Sequence, residues 1–207
     1  MCFAVREEAG AFRQRMGDRP RVRVLIHGMG APNAHRETLR ALDQQVPALV
    51  LTCGFAGGLD PHFADGAVIH EAPAGFPALA ALERAGSQAT RFHCADRVAC
   101  TVAEKRTLYH QTGCGAVEME SGIIRGLCRE RGIPAATIRV ISDHALEDLP
   151  LDFNRLLTAD YRMNYWKLAA TLVTSPGKIR ELMRLQKRLQ SAASALADVL
   201  TSVLAAA

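Results

Sequence analysis

The chain has 207 residues, of which 49% are hydrophobic and 22% are charged, a composition that is ordinary for a folded globular protein and excludes a disordered one. A chain of this length buries roughly 70% of the surface that its unfolded form exposes, so we expect a single domain over residues 1–207. The net charge of +4 and the aromatic content of 5% disfavour a nucleic-acid-binding protein, which would combine a basic surface with stacking side chains.

The cysteines and histidines do not predict a disulfide framework or a metal site. The sequence contains no C-x-x-C pair, and its six cysteines are typical of reduced thiols in a cytosolic protein. The seven histidines show no H-E-x-x-H spacing. The first residues become charged after position 5, and no apolar run reaches ~18 residues. We therefore expect a cytoplasmic protein with no membrane span.

Short apolar runs alternate with segments of helical periodicity, which predicts an α/β fold with a central, mostly parallel mixed sheet flanked by helices. The predicted strands cover residues 2–5, 22–28, 48–54, 66–70, 116–119 and 136–142. The predicted helices cover residues 33–45, 76–85, 103–111, 120–131, 153–159 and 164–173, and a long C-terminal helix starts at 176.

The long C-terminal helix carries an apolar stripe at spacings of three and four residues. The stripe consists of Leu182, Leu185, Leu189, Ala192, Leu196, Val199 and Val203. Such a stripe packs against another surface. The sheet of the same domain is the partner that we favour. The alternatives are a second copy of the chain in a homo-oligomer and a peripheral membrane contact, which the basic residues of the helix would assist.

Polar residues and glycines follow five of the predicted strands. They are the segments Arg6–Glu8, Gly28–Gly30, Gly54–Gly58, Glu118–Glu120 and Ser142–His144. Ligands of open α/β sheets bind beyond the carboxyl ends of the strands, so these segments could line one site. A dinucleotide site is disfavoured, because the segment GMGAPN carries Asn33 at the third glycine position of G-x-G-x-x-G.

Two carboxylates, Glu118 and Glu120, flank Met119 where an apolar run ends. Burial of an unpaired carboxylate costs several kcal/mol or forces protonation, so a partner must hold at least one of them. A position in the first turn of a helix accounts for Glu120 alone, and a helix cap accounts for Asp143 alone. The residues as a set indicate a ligand site, and we expect the hydroxyl groups of a sugar to be the partner.

The segments VEMES (117–121) and IRVISDHA (138–145), with AVREEA (4–9) and CGFAGGLDPHFADGAVI (53–69) upstream, resemble the nucleoside phosphorylase and methylthioadenosine/adenosylhomocysteine nucleosidase superfamily. These matches follow the family's order over most of residues 1–145. The segments ADRVACTVAEK and SPGKIRELMRLQ are similar to the hopanoid-associated phosphorylase branch, which acts on adenosylhopane. The resemblance implies cleavage of the N-glycosidic bond between ribose and a purine, with adenine expected, by a homo-oligomer without a cofactor.

The resemblance also implies roles for particular residues. Asp143 would be the general acid that protonates or hydrogen-bonds N7 of the purine, and Glu8 would orient the attacking water. Glu120 would accept hydrogen bonds from the ribose hydroxyls, Met119 would pack against the sugar, and the backbone of Val98 would recognise the base. The remaining expected substrate-binding residues are Glu118, Ser142, Gly30, Gly54 and Phe55, and no residue is expected to bind a metal.

Three segments depart from the family pattern. Residues 49–51 are apolar where bacterial purine phosphorylases carry an arginine for phosphate, whereas Glu8 favours an activated water. Phe55 replaces a serine that is common in methylthioadenosine nucleosidases, and Arg97 replaces an aromatic residue. Hydrolysis is therefore favoured over phosphorolysis with phosphate as co-substrate. A nucleoside-binding module without turnover is the alternative from another class.

Overall fold

The computed structural model describes residues 1–17, 19, 21–158, 160–161, 164–175 and 177–206, apart from the side chain of Val173. Within these residues strands and helices alternate along most of the chain, and the helices cover a mixed central sheet. A helix of 29 residues ends the described chain. The predicted fold class is confirmed.

The sheet has eight strands within the described residues. They are β1 (Cys2–Phe3), β2 (Leu25–Ile26), β3 (Val50–Gly58), β4 (Val68–Glu71), β5 (Gln88–Ala89), β6 (Phe92–Cys94), β7 (Ala116–Glu118) and β8 (Ala135–Asp143). The spatial order is β2-β1-β3-β8-β4-β5, and β7 pairs with both β3 and β6. The β3–β7 and β4–β8 pairs are antiparallel, and the other described pairs are parallel. Strands β5 and β6 were missed because they are short and lack an apolar run.

The helices cover the two faces of the sheet. They are α1 (Arg6–Met16), α2 (Ala31–Gln44), α3 (Leu79–Arg84), α4 (Val102–Thr112), α5 (Ser121–Glu130), α6 (Phe153–Leu156), α7 (Tyr165–Thr174) and α8 (Gly177–Ala205). Helix α1 was missed, since only Ala9, Phe12 and Met16 give it a helical apolar spacing. The predicted helix 153–159 was too long and ends at Leu156. Two positions of the predicted helices, Ala159 and Pro176, lie outside the described residues.

Helix α8 packs on the domain itself along its C-terminal half. The stripe residues Ala192, Leu196, Val199 and Val203 are buried in the main hydrophobic core, together with Phe12 of α1. The favoured interpretation of the stripe is therefore confirmed for this half. In the N-terminal half, residues 177–191, Leu185 is the one described residue that is buried. The other side chains of this half are partly or fully exposed.

The two longest strands bring the predicted site together. Strands β3 and β8 run parallel at the centre of the sheet, and Gly54 of β3 lies beside Arg139 of β8. The register shifts after Ala56, so that Gly57 lies beside Asp143 at the carboxyl end. Strand β7 joins the same edge through its antiparallel pair with β3. The carboxyl halves of β3 and β8 consequently lie beside the residues of β7 in this part of the sheet.

Candidate active site

A buried arginine on β8 organises the carboxylates at this end of the sheet. The side chain of Arg139 is 1% exposed, and its Nη2 donates to Oε2 of Glu118 at 2.6 Å. The same Nη2 lies 3.7 Å from Oε2 of Glu120. The guanidinium also donates to the carbonyl of Cys53 and to the hydroxyl of Thr52. A buried charge of this kind needs compensating partners, and here carboxylates supply them.

Glu118 is held entirely by the protein. Its Oε2 accepts hydrogen bonds from the backbone N–H groups of Glu120 and Ser121 at 3.0 and 2.7 Å, in addition to Arg139. Its Oε1 accepts from the Ser121 hydroxyl at 2.8 Å. Burial alone would raise the pKa of Glu118, but the Arg139 charge and these donors outweigh burial and lower the pKa below its usual value. Glu118 is thus an ionised anchor at the start of α5.

Glu120 has fewer donors than Glu118. Its Oε1 accepts from the backbone N–H of Gly30 at 2.8 Å, and its Oε2 has only the more distant Arg139. Burial raises the pKa of Glu120 to about 7, because the Arg139 charge offsets burial only in part and the Glu118 charge adds to the rise. Both protonation states are therefore populated near neutral pH, and hydroxyl donors from a ligand would favour the ionised one.

Glu8, on the first turn of α1, is 5% exposed. Its Oε2 accepts from the backbone N–H groups of Ala4 and Val5, and its Oε1 accepts from that of Phe55 at 2.8 Å. Burial raises the pKa of Glu8 by more than the Arg139 charge and these three N–H groups lower it. A buried carboxylate with a raised pKa is suited to accept a proton from water.

Two glycines that we expected to bind substrate support the site from behind. Gly54 has a φ of +150°, and a Cβ there would collide with the Glu8 carboxylate and the Arg139 guanidinium. Gly30 has a φ of +82° and uses its N–H to hold Glu120. Gly54 is needed because the Glu8 and Arg139 side chains approach it closely, and Gly30 is needed because of its backbone conformation. Neither lines the cavity described below.

Asp143, at the end of β8, is 6% exposed, and each of its oxygens has a polar protein neighbour. The Ser142 hydroxyl donates to Oδ1 at 2.6 Å, and Nζ of Lys105 lies 2.6 Å from Oδ2. Lys105 comes from α4, is fully buried, and also donates to the carbonyls of His144 and Glu147. The lysine therefore fixes both Asp143 and the segment that follows β8. The role of Lys105 was not predicted, because one lysine in a helical segment of the sequence gives no sign of burial.

These groups surround a cavity of about 220 Å³. Eight of the ten expected site residues line it, namely Glu8, Phe55, Val98, Glu118, Met119, Glu120, Ser142 and Asp143. A neighbouring cavity of about 530 Å³ lies along β6 and α4 and shares residues 97–99 with the first. Arg97, which lines both cavities, pairs with Glu104 at 2.6 Å. The expected catalytic and sugar-binding residues thus line one cavity.

The backbone of Val98 already has hydrogen-bond partners. Oδ1 of Asn154, on α6, accepts from the Val98 N–H at 2.9 Å, and Nδ2 of Asn154 donates to the Val98 carbonyl at 2.9 Å. The N–H and the carbonyl of Val98, which we expected to recognise the base, are therefore both hydrogen-bonded to Asn154. A base that bound Val98 in this way would have to displace the Asn154 side chain.

The described residues contain no group of three or more His, Cys, Asp or Glu side chains arranged to hold a metal ion. All six cysteines are free thiols, and Cys94 is the exposed one. Burial raises the pKa of Cys53 to about 12, so this thiol remains protonated at neutral pH.

The sequence matches the family model of the phosphorylase superfamily over residues 4–70 and 81–174. The chain belongs to this superfamily. It is 42% identical over 53 residues to the 5′-methylthioadenosine/S-adenosylhomocysteine nucleosidase of Mycobacterium bovis, a match that covers 26% of this chain and only 21% of that relative. It is 24% identical over 168 residues to the nucleosidase of the same name from Shewanella halifaxensis, covering 65% of this chain and 73% of that relative.

The fold also matches solved structures. The native structure of futalosine hydrolase from Helicobacter pylori superposes with a TM-score of 0.72 at 16% identity, over 100% of this chain and 96% of that one. At this level of identity the likeness establishes the fold. It agrees with the superfamily assignment, since the sequence match and the structural match cover most of the same residues.

The first prediction concerns the buried arginine. Arg139→Met would leave the Glu118 charge buried without its partner, so we expect the free energy of unfolding to fall by about 3–5 kcal/mol. Urea denaturation at neutral pH would measure the loss. The control is Arg125→Met, which removes a partly exposed pair with Glu71 that contributes about 0–1 kcal/mol. Equal losses in the two variants would contradict the organising role of Arg139.

The second prediction concerns pH. The folded pKa of Glu120, about 7, exceeds its ordinary value of 4.5, so the unfolded chain releases this proton at a lower pH than the folded protein does. This carboxyl therefore reduces stability as the pH rises through that window. We expect the unfolding free energy of Glu120→Gln, relative to wild type, to increase by about 3 kcal/mol from about pH 5 to about pH 8.

Denaturation series across this range would measure the difference, with Glu83→Gln on the exposed face of α3 as the control. A constant difference between Glu120→Gln and wild type at all pH values would show that Glu120 titrates normally.

Proposed function

We propose that the protein hydrolyses the N-glycosidic bond of a purine nucleoside, with adenine as the base. The observation that carries this proposal is that Asp143, Glu8 and Glu120 share one small cavity in three different environments. Carboxyl groups whose surroundings differ in this way can act separately as acid, base and hydroxyl acceptor. Membership of the phosphorylase superfamily, and the names of the nucleosidase relatives, agree with this chemistry.

Asp143 is the proposed acid. A purine anion is a poor leaving group, and a proton or a hydrogen bond at N7 lets the base depart nearly neutral. Ser142 and Lys105 fix the two carboxyl oxygens of Asp143 at the edge of the cavity, which suits a group that must reach one ligand atom. Acid catalysis by a positioned side chain is typically worth about 10² to 10⁴ in rate.

Glu120 and Met119 are the proposed sugar-binding residues. Glu120 has an oxygen with no protein donor closer than 3.7 Å among the described residues, so it has room to accept ribose hydroxyls. As the C1′–N bond breaks, positive charge develops on the sugar, and the nearby carboxylates stabilise it more in the transition state than in the ground state. Met119 lines the same cavity and offers an apolar contact to the ring.

Glu8 is the proposed base for water. In the proposed step the water oxygen bonds to C1′, the C1′–N bond breaks towards the purine, Asp143 supplies a proton to the base, and Glu8 takes the proton of the water. Arg97 is the one positively charged side chain among the described residues that line the cavity, and it is already paired with Glu104. The four carboxyl groups that line the same space offer no positive charge to a phosphate dianion, and the nearby cations Arg139 and Lys105 are already paired with two of these groups. Water is therefore the favoured nucleophile.

The nucleoside itself is proposed on resemblance. The segments ADRVACTVAEK and SPGKIRELMRLQ favour adenosylhopane, as in the hopanoid-associated branch. The names of the relatives favour 5′-methylthioadenosine or S-adenosylhomocysteine as the alternative. A homo-oligomer in the cytoplasm and a reaction without a cofactor complete the proposal.

Adenine release tests the proposed activity. The protein would be incubated with adenosine, 5′-methylthioadenosine and an adenosylhopane-type lipid, each with and without phosphate, and the products separated by chromatography. We expect adenine and the free sugar without phosphate. Release that requires phosphate and yields ribose 1-phosphate would establish a phosphorylase instead. No release from any substrate would favour the nucleoside-binding module.

The acid role of Asp143 gives a further prediction. Asp143→Asn keeps the size of the side chain but removes its acid, so we expect kcat to fall by at least ~100-fold. Asp60→Asn is the matched control, because Asp60 follows β3 on the protein surface and does not line the cavity. Circular dichroism would show whether Asp143→Asn remains folded. Near-wild-type turnover in a folded Asp143→Asn variant would exclude the assignment.

A further inference from the structure

Large hydrophobic side chains are exposed together on α7 and on the first turns of α8. Tyr165 and Trp166 are 75% and 87% exposed, and Ile179 and Met183 are 45% and 56% exposed. Helix α7 has the sequence YWKLAATLVT, and none of its described residues is buried. We call these four exposed side chains, with the basic residues near them in the sequence, the α7–α8 surface. A surface of this kind marks an interaction site.

The positive charge of the chain is concentrated in the same place. Residues 164–190 contain six Lys and Arg and one acidic residue, whereas the whole chain contains 25 and 21. This segment therefore has a net charge of +5, and the remainder of the chain has −1. Four exposed cations of the segment have no ion-pair partner among the described residues, namely Lys167, Arg180, Arg184 and Lys187.

The apolar and basic residues alternate around the exposed side of α8. Ile179 and Met183 are four residues apart and share one face, and Arg180 and Arg184 form the row next to them. Aliphatic side chains beside cations, with Trp166 and Tyr165 near them in sequence, have the composition of helices that lie in the headgroup region of a bilayer. None of the helices in the described part of the chain is long and apolar enough to cross a membrane.

We propose that the α7–α8 surface docks on an anionic lipid bilayer. Two other occupants fit the surface less well. A second copy of the chain would bring two clusters of +5 together, which costs electrostatic free energy. A nucleic acid would pair with the cations but would leave Ile179 and Met183 without an apolar partner. A lipid surface satisfies both, because acidic headgroups meet the cations and the acyl boundary accepts the apolar side chains.

Docking in this way brings the cavity close to the bilayer. Helix α6, which precedes α7, is joined to Val98 at the cavity by two hydrogen bonds, one through Oδ1 and one through Nδ2 of Asn154. Tyr161, between these two helices, donates from its hydroxyl to the carbonyl of Asp96, which lines the neighbouring cavity. The proposal does not require the proposed activity, since it depends only on exposure and charge.

Co-sedimentation with vesicles tests the proposal. One set of vesicles contains phosphatidylcholine alone, and the other contains phosphatidylcholine and phosphatidylglycerol in equal amounts. We expect the full chain to bind the anionic vesicles at least about tenfold more tightly than the neutral ones. The variants Tyr165→Ser/Trp166→Ser and Arg180→Gln/Arg184→Gln should each lose about tenfold of that binding.

Matched controls come from exposed residues elsewhere. Val46→Ser removes a 70% exposed hydrophobic residue outside the α7–α8 surface, and Arg13→Gln/Arg106→Gln removes two exposed arginines. Both should bind vesicles like wild type. Adenine release in vesicle-free buffer should be unchanged in all surface variants, so a failure of the activity proposal would be seen separately.

Three results would overturn the proposal. One is the absence of vesicle binding, or equal binding to the two vesicle types. Another is loss of binding in the controls as large as in the surface variants. The third is self-association in light scattering, or RNA binding in a gel-shift assay, that is lost in Trp166→Ser although this variant still binds vesicles.

Discussion

The structure depends on one buried cation. Arg139 lies inside the sheet, and the carboxylates that compensate it come from different parts of the chain, with Glu8 on α1, Glu118 on β7 and Glu120 just before α5. A charge at this depth is tolerated only if its partners are in place. Formation of the core and assembly of the candidate site are therefore the same event, and Gly54 of β3 is needed because a side chain there would separate the arginine from Glu8.

The same arrangement gives chemically similar groups different properties. Glu118 receives enough donors to stay ionised, whereas burial dominates at Glu120 and brings its pKa to about 7. A second buried cation, Lys105, fixes Asp143 on the other side of the cavity. The protein thus separates an anchoring carboxylate from those that are free to meet a ligand. At Val98 the groups expected to meet a base are instead paired with Asn154, so a base that bound there would have to displace the Asn154 side chain.

Helix α8 combines two functions along its length. Its C-terminal half completes the core through residues such as Leu196, and its N-terminal half presents Ile179, Met183 and basic residues outward. One continuous apolar periodicity therefore does not imply one continuous contact. The transition lies near Ala192, beyond which the helix packs on α1 and the sheet. This division lets a single helix support the fold and carry a charged, apolar surface.

The sequence by itself determined the fold class, the long central strands, most helices and eight of the residues that line the cavity, because apolar periodicity and family motifs are local patterns. Only the tertiary structure showed that Arg139 and Lys105 are buried cations, that Glu118 serves as an anchor, and that Gly30 and Gly54 lie behind the site. Burial and ion pairing depend on groups distant in the chain, and a local pattern does not record which side chains meet across the sheet.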